Sequence, residues 1–369
     1  MPDKFQSTVL DFQHPWATDL PQQARKLQYL LKANNIIHEV SGQVRKLGGA
    51  VKINSTVLPG APAITGMFDY WRAGTGGTFT QKFVAVTADG KVYKEDMNGI
   101  FTDITGAATI TANAIPVFCQ ARDILMIFFS TNDTPLMWNQ TGNVATLGGS
   151  PPAGRGAVFH ANRPWTWGDN ANPSRLTYGS STSVQDYTGV DTGFIEIDVD
   201  DGDRIVGAAS HKNALIVFKG PNKGSIHIIG GTAPTGSQGF TKNVLVRGIP
   251  LQSPNGFTAF SDDVLFMSNR GIHSITASDR FGNFSQSDIT RYLSKFFKDQ
   301  IDLTNLSKAW SVNYASNNCL LWTLSSAAGT APDVALGLSY VKYQQSYYNV
   351  SPEAGFLPFL IDRSCVSAA

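Results

Sequence analysis

Six histidines, three cysteines and one dense acidic run carry most of the reactive side chains, and their spacing limits what they can do. The acidic run is DVDDGD at 198–203, where Asp198, Asp200, Asp201 and Asp203 could offer carboxylate oxygens to calcium. An EF-hand loop needs glycine at its sixth position and glutamate at its twelfth. Counted from Asp198, glycine comes fifth at Gly202 and the twelfth residue is Ala209, so that pattern fails. Asp-Gly is turn chemistry, since Asp bonds its own backbone and Gly accepts positive φ. The run therefore reads as a turn between structural repeats. His14, His38, His160, His211, His227 and His273 show no i, i+3 or i, i+4 pairing, which excludes a metal pair on one helix. Cys119, Cys319 and Cys365 are odd in number and widely spaced, so they suggest neither a disulfide framework nor a zinc site. They read as buried free thiols. Phe159, Trp165, Trp167 and Tyr178 crowd one stretch, as a sugar-stacking platform would. Core packing is the commoner use of such rings.

No G-x-S-x-G elbow, H-E-x-x-H helix or G-x-x-x-x-G-K-[ST] loop occurs. The sequence therefore assigns no catalytic, cofactor-binding or metal residue, and the expectation is a protein that is not an enzyme.

The elements that hold these residues are mostly strands. KFVAVTADGKVYKED at 82–96 sets two β-rich runs around Asp89-Gly90, the signal of a two-residue hairpin. ITGMFDYWR before it and NGIFTDITG after it complete a four-stranded meander. The same plan restarts near Ile64, Ile115, Gly156, Arg204, Phe257 and Ala309, a spacing in the range of one propeller blade. Four short strands cannot bury both sheet faces alone, whereas radial packing buries face against face. A β-sandwich would explain the strands but not the period. The expected fold is all-β, a β-propeller of about six four-stranded antiparallel blades over 54–369. The S-x-D-x-G-x-T-W repeats of sialidase-type propellers are absent. The first stretch, 1–53, reads as an N-terminal arm and blade-joining segment. Within it Ala24, Leu27, Leu30 and Leu31 fall at helical spacing over 19–35, and Asp19 could cap that helix.

Composition agrees with a turn-rich globular chain. Hydrophobic residues make up 42% and charged residues 15%, against the usual quarter. Net charge is +1, from 29 basic and 28 acidic side chains, which argues against tight sequence-neutral DNA binding. The opening MPDKFQSTVLDFQHPW lacks the apolar core of a secretion signal, so folding in a cytoplasm is expected. The apolar run ILMIFF at 124–129 is far too short to span a bilayer, so no membrane insertion is expected.

Longer motifs carry a resemblance. AVFHANRPWTWGDNANPSRLTYGSS at 157–181 leads to FIEIDVDDGDRIVGAASHKNALIVFKG at 194–220, then GSIHIIGG at 224–231 and GFTAFSDDVLFMSNRGIHSI at 256–275. NNIIHEVSGQVRKLGG at 34–49 precedes them. In this order the motifs resemble the nozzle or tail-stabilisation β-propeller proteins of short-tailed bacteriophages, over roughly residues 20–350. The chain is short for that group, and no large inserted domain between blades is expected. The resemblance implies a virion structural protein located in the tail and assembled in the host cytoplasm. It implies a homo-oligomeric ring, usually six-fold, below the portal and the adaptor or head-to-tail connector. Such a ring surrounds the DNA exit channel and anchors tailspikes or fibres. Genomic DNA would pass through the lumen without specific binding. The alternative is a carbohydrate-binding or glycan-cleaving propeller of the tail.

Overall fold

A computed structural model describes residues 19, 36–38, 44–46, 54–96, 98–260, 263–275, 288–314, 319–329, 332–339 and 358–361. A short hairpin, β1 (Ile36–His38) with β2 (Val44–Lys46), comes first. Six antiparallel meanders follow, each a blade of a β-propeller. Blade 1 is β3 (Ile64–Ala73), β4 (Phe79–Thr87), β5 (Val92–Glu95) and β6 (Phe101–Asp103). Blade 2 is β7 (Pro116–Ala121), β8 (Ile124–Phe129), β9 (Leu136–Trp138) and β10 (Ala145–Thr146). Blade 3 is β11 (Gly156–His160), β12 (Arg163–Trp167), β13 (Arg175–Tyr178) and β14 (Gly193–Glu196). Blade 4 is β15 (Arg204–His211), β16 (Ala214–Gly220), β17 (Ser225–Gly230) and β18 (Thr241–Arg247). Blade 5 has β19 (Phe257–Phe260), β20 (Asp263–Ser268) and β21 (Gly271–Ser274). Blade 6 is β22 (Trp310–Tyr314), β23 (Cys319–Leu324), β24 (Val334–Ser339) and β25 (Pro358–Ile361).

The blade starts fall at or within one residue of the six positions predicted from sequence. Pro358–Ile361 form the fourth strand of blade 6, with Ala335 opposite Ile361. Blade 5 differs: among the described residues its third strand is followed by a single bridge, His273 to Asp288, and then by α1 (Ser294–Gln300). The Asp89-Gly90 hairpin is also a correction. Thr87 N donates to Lys91 O, so the loop holds three residues and not two. Gly90 ends it at φ 77°, the left-handed position of a three-residue hairpin. A Cβ there would lie 2.4 Å from Ile110 O.

The chain divides into two compact units, one of 51–254 and one built from 1–50 and 255–368. In the first, ILMIFF shows why a blade strand is apolar throughout. Leu125, Ile127 and Phe129 pack with Tyr70, Val84 and Val86 of blade 1. Met126 and Phe128, on the other face, join the core that includes Trp165, Trp167, Leu215 and Val217 of blades 3 and 4. Alternate side chains of a strand point to opposite faces, so one strand serves two neighbours. In the second unit, Leu265, Met267 and Ile272 of blade 5 pack with Leu320, Trp322 and Leu336 of blade 6 and with Phe296 and Phe297 of α1.

The helix predicted over 19–35 lies, apart from Asp19, outside the described residues. Asp19 does cap a helix, but a distant one. Its carboxylate accepts from Ser294 N at 2.8 Å and Lys295 N at 2.9 Å, the free donors that open α1.

Candidate functional site

The acidic run forms the turn from β14 to β15, between blades 3 and 4, as predicted. Its oxygens already hold a cation, and that cation is a side chain. Lys219 ends the run LIVFK of β16, where strand alternation points it inward beside Val217 and Leu215. It is fully buried. Its ammonium donates to Ile197 O at 2.9 Å, Asp198 O at 2.6 Å and Asp201 Oδ1 at 2.7 Å, with Ser174 Oγ at 3.2 Å. Two carbonyls, a carboxylate and a hydroxyl are the oxygen set a hard metal ion would take. Here they solvate an ammonium on the neighbouring strand, which staples the turn to blade 4.

Asp203 closes the other side of this cage. Its carboxylate accepts Asn222 N at 2.8 Å, Lys223 N at 2.9 Å and Gly224 N at 2.7 Å, in the turn from β16 to β17. Asp198 accepts Arg247 Nη1 at 2.6 Å. Burial pushes the Asp198 carboxyl up, but Arg247 and the adjacent cations outweigh it and hold it below the usual range. No group of three or more His, Cys, Asp or Glu arranged for a metal occurs among the described residues.

The histidines are placed singly. His227 is fully buried, with Nε2 2.9 Å from Ser225 Oγ and 3.5 Å from Asp198 Oδ2. His160 Nδ1 lies 2.9 Å from Ser210 Oγ and bridges blades 3 and 4. Burial lowers the affinity of both for a proton. His14 lies outside the described residues. Cys119 and Cys319 are buried free thiols, and burial pushes Cys119 up to about 12, far from a reactive thiolate. Cys365 lies outside the described residues.

The aromatic crowd is core. Trp165 is fully buried and Trp167 nearly so, with their indole N–H groups spent on His160 O and Val206 O. Trp165, Tyr178 and Phe240 form a triangle with centroids 4.8–5.1 Å apart. These rings present no open platform. An open one occurs in blade 1. Trp71 is 45% exposed and Phe79 69%. Trp71 Nε1 donates to Asp69 Oδ2 at 3.0 Å, and Gln81 Nε2 donates to both Asp69 oxygens. Gln120 of blade 2 grips the Trp71 backbone through both its N–H and its carbonyl. The available signal was alternation: in MFDYWR the odd positions carry Met67, Asp69 and Trp71, while Tyr70 faces blade 2.

A second staple acts at the β7–β8 turn of blade 2. Arg122 and Asp123, both at positive φ, form the β7–β8 turn. Asp123 accepts Tyr70 OH at 2.6 Å and Ala73 N at 3.2 Å from blade 1. Arg122 reaches Ser181 O and Thr182 O of blade 3. The arrangement joins blade 2 to blades 1 and 3.

No known family profile matches the sequence, and no curated protein matches it. Solved structures do resemble the fold. YjhT aligns at 12% identity over 78% of this chain and 97% of its own, with a TM-score of 0.45. The Cps50 (Swd1) β-propeller domain of Myceliophteria thermophila aligns at 12% over 75% and 85%, with a TM-score of 0.42. YCF48 bound to D1 peptide aligns at 11% over 52% of this chain and 66% of its own, with a TM-score of 0.34. No helix among the described residues is long and apolar enough to cross a membrane.

Proposed function

We propose that this chain is a structural subunit of a short bacteriophage tail, a nozzle protein that closes into a ring of about six copies around the DNA exit channel. The adaptor would bind above it, and tailspikes or fibres would attach at its side. The observation that carries this reading is the fate of the polar motifs. The acidic turn, the buried lysine and the Arg122–Asp123 turn all bind one blade to the next, which is the work of a load-resisting scaffold. The order of the phage-like motifs supports the reading as well, since they fall in succession on blades 3, 4 and 5. Cyclic rings arise from heterologous contacts that close. The test is light scattering and electron microscopy of the purified chain with its adaptor, plus mass spectrometry of intact virions. A chain that stays monomeric with the adaptor and is missing from virions defeats the reading.

A second reading, a glycan-binding propeller of the tail, is favoured by the Trp71 surface. An exposed indole held rigid beside Asp69 and Gln81 has the make-up of a pyranose-stacking face. A glycan array on the intact chain and on Trp71→Ala tests it. Absence of any glycan bound through Trp71 removes it.

A further inference from the structure

We propose that the outer edge of β18 is a docking site for an extended, acidic and apolar strand of another protein. The fourth strands of the other blades are short: three residues in β6, two in β10, four in β14 and four in β25. Shortness is one way a sheet keeps its edge from pairing with a stranger. β18 has seven residues, and Thr241, Lys242, Asn243 and Val244 are all exposed. Its pairing with β17 is regular from Thr241 to Val244 and then slips at a bulge, where Leu245 has no opposite residue. An edge of four regular residues is therefore presented, and backbone N–H and C=O groups in a row are matched only by another extended backbone.

Edge lysines normally fend off such pairing. Here both cations of the strand are drawn away toward blade 3. Lys242 Nζ donates to Glu196 O at 2.9 Å, at the end of β14, and Arg247 pairs with Asp198. Lys242 thus leans off the backbone edge, held by a neutral carbonyl, and its charge stays within reach of an incoming carboxylate. The charge selects the occupant. TKNVLVR has two cations and no acid, so a second copy of this edge would bring like charges together. A strand alternating Glu with Val meets Lys242 with opposite charge when its Glu side chains share that face, and its Val side chains then lie on the other face.

The probe is a labelled, end-blocked TVEVEVT peptide, with TVKVKVT as control, titrated against the intact chain by anisotropy. Backbone amide exchange over 241–247 is followed alongside. The Glu peptide should bind about fivefold more tightly than the Lys peptide and slow exchange at 241–244. Lys242→Glu, at an exposed site, should reverse the preference while leaving the fold intact. The proposal is overturned if neither peptide binds, if protection appears elsewhere, or if the charge preference survives Lys242→Glu. Concentration-dependent self-association through 241–247 would overturn it too, assigning the edge to a second copy.

Discussion

At the acidic turn of blade 4, Lys219 and Asp201 approach to 2.7 Å, and each carries its charge into the fold beside the other. In blade 5, His273 and Asp288 are cross-strand neighbours that burial instead drives toward neutrality. Desolvation takes His273 down to about 3 and Asp288 up to about 6. Ser268 Oγ lies 2.7 Å from His273 Nε2, and Asp288 accepts from Thr290 N and Thr290 Oγ1. The same problem, a titratable group without water, is solved by an internal counter-ion in one blade and by the loss of charge in the other. The difference shows that a dense acidic run and two scattered residues meet the same desolvation cost by different means.

Removing Lys219 should have the largest effect. Lys219→Met leaves the carbonyls of Ile197 and Asp198 and the Asp201 carboxylate without their donor, and should cost about 4 kcal/mol. Urea unfolding monitored on residues 51–254 checks it. A loss below about 1 kcal/mol would mean water replaces the ammonium freely, and the contrast with blade 5 would collapse.

Next comes Asp288→Asn, with the opposite sign. A carboxyl whose folded pKa is about 6, against about 3.8 unfolded, penalises the fold above pH 6 and not below pH 4. The variant should gain up to about 3 kcal/mol at pH 7.5 and nothing at pH 4. His273 works the other way. Its depressed pKa gives stability that is complete above pH 6.5 and lost as pH falls toward 3. Between pH 4 and 6 the unfolded chain holds a proton on His273 and the folded chain holds one on Asp288. The pair therefore contributes no pH slope there. Stability of Asp288→Asn should fall from pH 6 to 4, and stability of His273→Leu should rise over the same range. Parallel slopes in the two variants would break the account.

Smaller effects bound the comparison from below. Tyr70→Phe removes a buried hydroxyl that donates to Asp123 O, and should cost about 1 kcal/mol in thermal unfolding. Trp71→Ala, on an open face, should change stability by less than about 0.5 kcal/mol. A large loss from Trp71→Ala would mean that face is core, and would leave no open aromatic surface in blade 1 for a ligand.

The blades were legible because strand, turn and strand repeat locally. Ile64, Gly156, Arg204 and Phe257 begin first strands as their turn-bounded apolar runs require. The acidic turn was legible as a turn, because Asp and Gly declare one. Its cation was not, since Lys219 is 18 residues from Asp201 and its partners meet it only after β16 is placed. The burial of the aromatic run 159–178 was not legible, because composition does not say which face of a strand is covered. Trp71 was recoverable from alternation, but its exposure depends on which of two faces packs against blade 2. The departure in blade 5 gave no sequence signal of comparable strength.

The cap on α1 has a consequence for synthesis. Asp19 and Ser294 are 275 residues apart. A ribosome working at roughly 5–20 residues per second delivers the cap some tens of seconds before the helix it serves. Through that interval four complete blades emerge while the carboxylate waits in solvent. The bond from Asp19 to α1 thus forms only after blades 1 to 4 are synthesised, and a nascent chain stalled before α1 emerges has every side chain of those blades yet lacks the donors that Asp19 caps.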